Sequence, residues 1–263
     1  MLVRTIPETE RILGYGGPST GKTHMWMTIA RLWQNTETPG KFHVIDTDFT
    51  TSTMLAKEEF SGLENIQKPR VCLDYVDIFN YVNELEDTAS EGDWITFDMA
   101  GNLYELARDY FSEQAYKMSE VDKMLEHRLS GSKGVHFDGF TDWPMVRSMH
   151  DAIIKKLVHI SERKGVHLFA TAPEKVIVTE AGSRSEKDST ILSVFGSFGA
   201  RPDGHKKLPH WYHDVVYLKK TKDSRSIAVP KSRLREPFQQ AELKDFATQY
   251  LLGVDVPGKW VAR

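Results

Sequence analysis

Residues 16–23 read GGPSTGKT, and this octapeptide constrains the chain more than any other part of it. It fits the pattern G-x-x-x-x-G-K-[ST], in which glycines allow backbone N–H groups to turn inward and cradle phosphate oxygens. The pattern predicts that Lys22 reaches the β- and γ-phosphates of a nucleotide and that the Thr23 hydroxyl binds Mg²⁺. We therefore predict ATP and Mg²⁺ as cofactors, held by a loop of eight residues: Gly16, Gly17, Pro18, Ser19, Thr20, Gly21, Lys22 and Thr23.

The sequence on either side of this loop predicts a strand before it and a helix after it. Residues 11–15 (RILGY) are mostly apolar, and apolar residues follow the loop at helical spacing from Met25 to Trp33. Beyond the helix, apolar strands and amphipathic helices alternate along the chain. This alternation predicts an α/β fold with a mostly parallel sheet flanked by helices.

The C-terminal half predicts a different local structure. Two strands, at residues 211–220 and 226–231, are expected to form a C-terminal β-hairpin. One long helix is predicted over residues 103–129, and a helix with a tail over 239–263. We expect one domain over residues 1–263, in which 180–213 is largely a long loop.

Composition limits the classes of protein that fit. The single cysteine, Cys72, excludes an internal disulfide and a cysteine-based zinc site, and it favours a reducing, cytoplasmic compartment. No apolar run of membrane-spanning length occurs. The net charge is −3, but residues 201–235 hold ten Lys or Arg against three Asp or Glu. This asymmetry favours a surface for a polyanion, although a solvated charged hairpin is an alternative.

Two strand ends carry the candidate catalytic carboxylates. Asp98 ends the strand WITFD and is predicted to support Mg²⁺ together with Thr23. Asp48 follows the strand at residues 42–46 and is predicted to orient an attacking water, because ligands lie at the carboxyl ends of parallel strands. A helix-capping role for Asp48, and Asp46 as the base instead, both remain open.

The order of these motifs resembles that of the RecA family of recombinase ATPases, in which a catalytic Glu ends the strand that Asp48 follows here. The segment VPKSRLREPFQQAE at residues 229–242 is similar to the family segment that has two basic residues one apart, followed by Pro-Phe. The resemblance implies that Lys231 and Arg233 act on the ATP of a neighbouring subunit in a ring or filament of identical chains. It leaves Thr171 or Glu174 as the sensor of the γ-phosphate. The chain resembles the core-only members of bacteriophages, including single-strand annealing ATPases, and would then work in the host cytoplasm.

The resemblance also implies a DNA-binding loop over residues 180–213. Cations that track phosphates and aromatic side chains that stack on bases are what a single-stranded DNA site needs. The predicted cations are Arg184, Lys187, Arg201, Lys206 and Lys207. The interleaved aromatics are Phe195, Phe198, Trp211 and Tyr212, for which a place in the core is the alternative. A second, weaker DNA contact is expected in the loop 131–139, through Lys133 and His136.

The sequence thus predicts an ATP-dependent, single-stranded-DNA-binding ATPase of recombination, annealing or repair, with a single-strand-binding protein as a candidate partner. A motor for helicase loading or DNA packaging, and a nucleotide-gated scaffold with little hydrolysis, are alternatives. His205, His210 and His213 are not predicted to bind metal, because no cysteine or tight ligand spacing accompanies them.

Overall fold

The computed structural model describes residues 9–131, 137, 140–178 and 186–256. In these residues a large sheet forms the centre of the molecule, and its strands occur along the chain as β1 (Arg11–Gly16), β2 (Phe42–Asp46), β3 (Arg70–Val71), β4 (Trp94–Asp98), β5 (His167–Val176), β6 (Ala200–Pro202), β7 (Asp214–Lys220), β8 (Arg225–Lys231) and β9 (Phe238–Glu242). The spatial order is β3-β2-β4-β5-β1-β7-β8-β9, and β6 pairs with β5 off this path. All strands from β3 to β7 in that order are parallel, whereas β8 and β9 are antiparallel.

Helices cover both faces of the sheet. They are α1 (Lys22–Gln34), α2 (Thr51–Leu55), α3 (Tyr75–Thr88), α4 (Leu103–Tyr116), α5 (Glu120–Leu129), α6 (Asp142–Lys164), α7 (Ser189–Phe195) and α8 (Phe246–Leu252). Among the described residues, no helix has both the length and the apolar character needed to cross a lipid bilayer.

Two hydrophobic cores result, because successive side chains of a strand point to opposite faces. On β1, Ile12 packs into a core with α1 and α8, whereas Leu13 packs into one with α3, α4 and α6. Both faces of the central strands are therefore buried, which explains their nearly continuous apolar sequences. The predicted α/β fold, with a mostly parallel sheet, flanking helices and a C-terminal hairpin, is confirmed.

The long helix predicted over residues 103–129 is interrupted. Lys117 ends α4 in the left-handed conformation, with φ of 60°. Ser119 then begins α5, and its side chain accepts a hydrogen bond from the backbone N–H of Asp122. A serine cap of this kind satisfies an otherwise unpaired helix-end amide, so a new helix starts here.

The last helix is shorter than predicted, since residues 238–242 form β9 and only 246–252 are helical. In β9, Phe238 and Ala241 pack on the core, whereas Gln239 and Gln240 are exposed. Pairing with β8 fixes this strand, so the neighbouring strand, rather than local helix propensity, decides its structure.

The region predicted as a long loop over 180–213 is also more ordered than expected. Residues 186–213 contain α7, β6 and a short 3₁₀ helix at Leu208–Trp211. The Asp188 side chain accepts hydrogen bonds from the backbone N–H groups of Thr190 and Ile191, and so begins α7. Residues 180–185 lie outside the described residues.

Candidate nucleotide-binding site

The loop predicted to bind phosphate connects β1 to α1 and has the backbone that its glycines require. At Gly16 a Cβ atom would lie 2.4 Å from the carbonyl oxygen of Leu218, so no larger residue fits. Gly21 has φ of +105°, a conformation that L side chains rarely adopt. Ser19 also has a positive φ, of 57°. These two residues turn the chain into the first turn of α1.

Lys22 lies over the loop. Its Nζ atom donates hydrogen bonds to the carbonyl oxygens of Gly16 (3.0 Å) and Gly17 (2.9 Å). Burial lowers the pKa of Lys22, and the carboxylates of Asp98 and Asp48 counteract this effect. The cation is therefore held at the loop, between the backbone oxygens and the nearby acids.

The start of α1 lacks the side-chain cap that a helix of this length usually has. Gly21 occupies the cap position, no side chain accepts from the first turn, and no acidic residue occurs in that turn. The positive end of the helix dipole therefore faces the loop without a side-chain anion on its own helix. This arrangement suits phosphate oxygens.

Asp98 lies fully buried at the end of β4. Its carboxylate accepts hydrogen bonds from Trp26 Nε1 (3.0 Å) and from the Thr171 hydroxyl. It also interacts with the Thr23 side chain. Burial, together with the nearby Asp48, raises the pKa of Asp98 to about 6. The structure thus places the predicted Mg²⁺ residues Thr23 and Asp98 next to each other.

The two acids after β2 have different environments. The buried Asp46 carboxylate accepts the backbone N–H groups of Phe49 (2.8 Å), Asp48 (3.2 Å) and Thr51 (3.2 Å), so it holds the turn into α2. Asp48 faces the cleft described below and accepts a hydrogen bond from the Thr50 hydroxyl (2.8 Å). Burial raises the pKa of Asp48. Of the two alternatives, Asp48 is therefore the one exposed to a ligand.

A cleft of about 900 Å³ opens over the loop. Thr23 and Thr50 bring their hydroxyl oxygens within 3.3 Å of each other on one side of it. Glu174, at the end of β5, lines it as well and accepts a hydrogen bond from the Tyr217 hydroxyl (2.8 Å). Thr171, the other predicted γ-phosphate sensor, is instead buried against Asp98. Only Glu174 of this pair faces the cleft.

Arg225 is a cleft residue that we did not predict. It begins β8, is exposed, and lines the cleft close to Gly21. The sequence did contain a signal, because the turn TKDS at residues 221–224 reverses the chain at the carboxyl end of β7. The first residue after that turn must lie beside the loop between β1 and α1, since β7 pairs in parallel with β1.

Lys231 and Arg233 lie toward the opposite end of the sheet. The Arg233 amide donates to His213, whose own amide donates to Arg11 at the start of β1. Because a strand rises about 3.3 Å per residue, Arg233 is separated from Gly16 by roughly 17 Å along β1. Within one chain, Arg233 therefore does not reach the cleft.

The two cations differ in their availability. Lys231 Nζ donates to the carbonyl oxygens of Pro209 (2.6 Å) and Tyr212 (2.7 Å), and burial lowers the pKa of Lys231 to about 8. Arg233 is exposed and donates to the His210 carbonyl oxygen (3.3 Å). Lys231 thus supports the strand end of its own chain, and Arg233 is the one that presents its charge to the surface.

The predicted DNA-binding cations also differ in whether their side chains are exposed. Lys187, Lys206 and Lys207 are exposed, and Lys206 Nζ donates a hydrogen bond to Glu186 Oε1 (2.9 Å). Arg201 is only 7% exposed, and its Nη1 atom donates to the carbonyl oxygen of Pro202 (2.9 Å). A buried guanidinium cannot reach a nucleic-acid backbone, so the prediction for Arg201 is corrected. Arg184, like Lys133 and His136 of the other predicted loop, lies outside the described residues.

The aromatic side chains predicted to stack on bases belong to the core. Phe195, Phe198 and Tyr212 are buried, and Trp211 is partly buried against the same core. Phe195 meets Tyr15 of β1 edge-on, with ring centroids 6.1 Å apart. The alternative given by the sequence, in which these aromatics are core residues, describes the structure.

The comparisons with known proteins agree with this architecture. The chain is similar to the crystal structure of the RadB recombinase, with a TM-score of 0.50 and 12% sequence identity over 92% of this chain and 90% of that chain. No protein-family model and no curated protein sequence matches the chain. At this identity the likeness concerns the fold, and the fold of this chain is RecA-like.

Proposed function

We propose that this chain is a P-loop ATPase that binds ATP and Mg²⁺ in the cleft and acts with single-stranded DNA in recombination, annealing or repair. The observation that carries the proposal is the convergence of Lys22, Asp98 and Asp48 at one end of the sheet. Each of these residues arrives from a different strand end, so the fold itself assembles the site. The similar RadB protein is named a recombinase, which is in keeping with this proposal.

The residues of the cleft fit the parts that ATP hydrolysis requires. Bound ATP and Mg²⁺ supply the transferable phosphoryl group and the metal charge that balances its oxygens. The loop amides and Lys22 would bind the phosphates, while Thr23 and Asp98 would hold the Mg²⁺ shell. The buried pair of hydrogen bonds from Trp26 and Thr171 keeps Asp98 in place for that task.

Asp48 is the proposed general base. Its position at the cleft, the Thr50 hydrogen bond and the raised pKa fit a carboxylate that orients a water and accepts its proton. Its side chain is one methylene shorter than the glutamate of the RecA family. The Asp48 carboxylate would therefore lie farther from the γ-phosphate than that glutamate, and the attacking water would have to bridge the gap.

We further propose that chains assemble into a ring or filament in which Arg233 contacts the nucleotide of a neighbour. Its exposed guanidinium, remote from the cleft of its own chain, supports a role in trans. Lys231 would then act by holding the strand end that carries Arg233, because its ammonium group is engaged by two carbonyl oxygens.

For DNA, the exposed Lys187, Lys206 and Lys207 are the proposed phosphate contacts, together with Arg184 from the sequence. They lie in the segment between β5 and β7, and Lys206 and Lys207 share one turn. Since the aromatics of this segment are buried, binding would depend mainly on charge and therefore on salt.

The experiment is to measure ATP hydrolysis with and without single-stranded and double-stranded DNA, and DNA affinity as a function of salt. We expect stimulation by single strands. Lys206→Ala/Lys207→Ala should lower the slope of log affinity against log salt by about 1.4, or about 0.7 for each phosphate contact. The matched control is Lys41→Ala/Lys68→Ala, which removes two exposed lysines from the other end of the sheet.

Three results would contradict parts of the proposal. Stimulation by double strands alone would favour a motor, and ATP binding without turnover would favour a scaffold. An equal change of slope in the control variant would show that Lys206 and Lys207 make no specific contact.

A further inference from the structure

Two histidines and an aspartate from distant parts of the chain meet outside the cleft. His150 and Asp151 lie in α6, and His205 lies in the turn between β6 and the 3₁₀ helix. Asp151 Oδ1 is 3.1 Å from His150 Nδ1 and 3.5 Å from His205 Nδ1. One ligand atom from each of the three residues lies within 4.8 Å of those of the other two.

The cluster holds two buried ring nitrogens that have no hydrogen bond within the part of the chain that the structure describes. His150 is 1% exposed; its Nδ1 atom faces Asp151, whereas its Nε2 atom is the other ring nitrogen and has no hydrogen-bond partner among the described residues. His205 Nδ1 is likewise buried and without a hydrogen bond in this part of the chain, although it points toward Asp151. A buried nitrogen without a hydrogen bond is unfavourable, and His205 Nδ1 is the unpaired nitrogen that faces Asp151, so this atom calls for a ligand.

The rings are also held in fixed positions. Tyr104 of α4 stacks on His205, with centroids 5.7 Å apart and planes 15° apart, and meets His150 edge-on at 5.8 Å. The two imidazoles are 5.2 Å apart. Ligand positions that are set by packing lower the entropy cost of binding.

We propose that His150, Asp151 and His205 form a binding site for a divalent transition metal ion of the zinc class. Imidazole nitrogens and a carboxylate oxygen are ligands that Zn²⁺ prefers. Ligand atoms about 2.1 Å from a tetrahedral Zn²⁺ lie roughly 3.4 Å apart, close to both distances measured from Asp151. The side chains of Asp151 and His205 are 19% and 11% exposed, so a water can complete the coordination.

From the sequence we considered a different set of histidines, and we did not predict that they bind metal. His205 is the one member of the trio His205, His210 and His213 that belongs to this cluster. His213 Nε2 contacts Arg11 at the far end of the sheet, and His210 is exposed. The partners of His205 are 55 and 54 positions earlier in the chain, so no local spacing could indicate them.

The site would tie together three parts of the fold. His205 belongs to the turn that carries Lys206 and Lys207, while His150 and Asp151 belong to α6. The same turn touches the end of β5, because the Asp203 amide donates to the Pro173 carbonyl oxygen (2.8 Å). A bound ion would therefore stabilise this turn against the helices beside it. None of its three ligands lines the nucleotide cleft, so the proposal does not depend on ATP binding.

The test uses the untagged full chain, freed of metal by a chelator and kept without nucleotide. ZnCl₂ is titrated by calorimetry, bound zinc is counted by elemental analysis, and CoCl₂ is added as a spectroscopic probe of tetrahedral coordination. We expect one zinc per chain and a rise in melting temperature with added zinc. His205→Gln and Asp151→Asn should each weaken binding at least about tenfold.

His210→Gln is the matched control, because it removes an exposed histidine five residues away. It should bind zinc as the wild type does, and so should Lys22→Ala, which separates this site from the nucleotide site. Circular dichroism establishes that each variant is folded. Absence of a stoichiometric zinc site in the wild type, or wild-type affinity in His205→Gln and Asp151→Asn, would overturn the proposal.

Discussion

The two ends of the central sheet both carry buried charge, but they use it in different ways. At the carboxyl end of the parallel strands, Asp98 and Asp48 face Lys22 around an open cleft. At the other end, the Arg235 guanidinium lies between Glu10 and Asp214, with Nη1 to Oε2 and Oδ2 distances of 3.1 and 2.8 Å.

The difference lies in what remains available to a ligand. Tyr250 completes the second cluster by donating to Asp214 and accepting from Arg235, so that these charges are satisfied by one another. At the cleft, in contrast, burial raises the pKa of Asp98 and of Asp48 and lowers that of Lys22. Shifted pKa values of this kind are typical of binding and catalytic sites. Both clusters contain acidic and basic residues. The candidate site differs from the structural cluster because it lies at the carboxyl ends of the parallel strands rather than at their amino ends.

Asp48→Asn should have the largest effect, and only at the cleft end. Losing the proposed general base should lower ATP turnover by about 10²–10⁴-fold, while nucleotide affinity changes little. Turnover is measured by phosphate release and affinity with a fluorescent ATP analogue. Asp46→Asn is the comparison, since it should destabilise the turn into α2 instead. Unchanged turnover in a folded Asp48→Asn variant would contradict the role of Asp48 as the general base.

Arg235→Ala should mainly affect stability. It leaves Glu10 and Asp214 buried without their cation, which costs about 3–5 kcal/mol in the free energy of unfolding. Urea denaturation measures the loss. Arg233→Ala, two residues earlier and exposed, is the control and should change stability by less than about 0.5 kcal/mol.

A milder variant covers the case in which Arg235→Ala does not fold. Tyr250→Phe removes one hydroxyl from the same cluster and should cost about 1–3 kcal/mol. Equal losses in the Arg233 and Arg235 variants, or no loss in Tyr250→Phe, would mean that the far end of the sheet is not held by this network.

Asp98→Asn should change how stability depends on pH in the absence of nucleotide and Mg²⁺. Below about pH 4, the carboxyl is protonated in both folded and unfolded chains. As the pH rises from about 4 to about 6, the unfolded chain releases this proton and the folded chain keeps it, so stability falls. The variant lacks this loss, and its advantage over the wild type should grow across that window to at most about 3 kcal/mol.

Unfolding followed at several pH values checks this, with the exposed Asp87→Asn as control. The control should keep a constant difference from the wild type. A stability difference for Asp98→Asn that stays flat between pH 4 and pH 6 would contradict a raised pKa at Asp98.

The parts of the molecule that the sequence could predict are those in which a local pattern decides the structure. The strand at residues 42–46 and the strand ending at Asp98 were predicted because each is a short, mostly apolar run that ends in an acid. The loop between β1 and α1 was predicted because its glycines meet a specific backbone need, as the close approach of Leu218 to Gly16 shows.

The parts that the sequence could not predict depend on contacts between distant residues. The strand β9 forms because it pairs with β8. The helix break at Lys117 occurs without a glycine or proline, the residues that usually indicate such a break in a sequence. The charge of Arg201 and Arg235 is visible in the sequence, but their burial is not. The meeting of His150 with His205 follows only from the packing of α6 against a distant turn.

The most direct test of the account is Mg²⁺-dependent ATP hydrolysis by the wild type, Lys22→Ala and Arg233→Ala, measured across a range of protein concentrations. We predict turnover per chain that rises with protein concentration, as the proposed completion of a neighbour's site by Arg233 requires. Lys22→Ala should lose at least about 100-fold at every concentration, and Arg233→Ala should bind ATP normally but lose the concentration dependence. Wild-type turnover in Lys22→Ala would contradict the central claim that this loop and its carboxylates form the catalytic site.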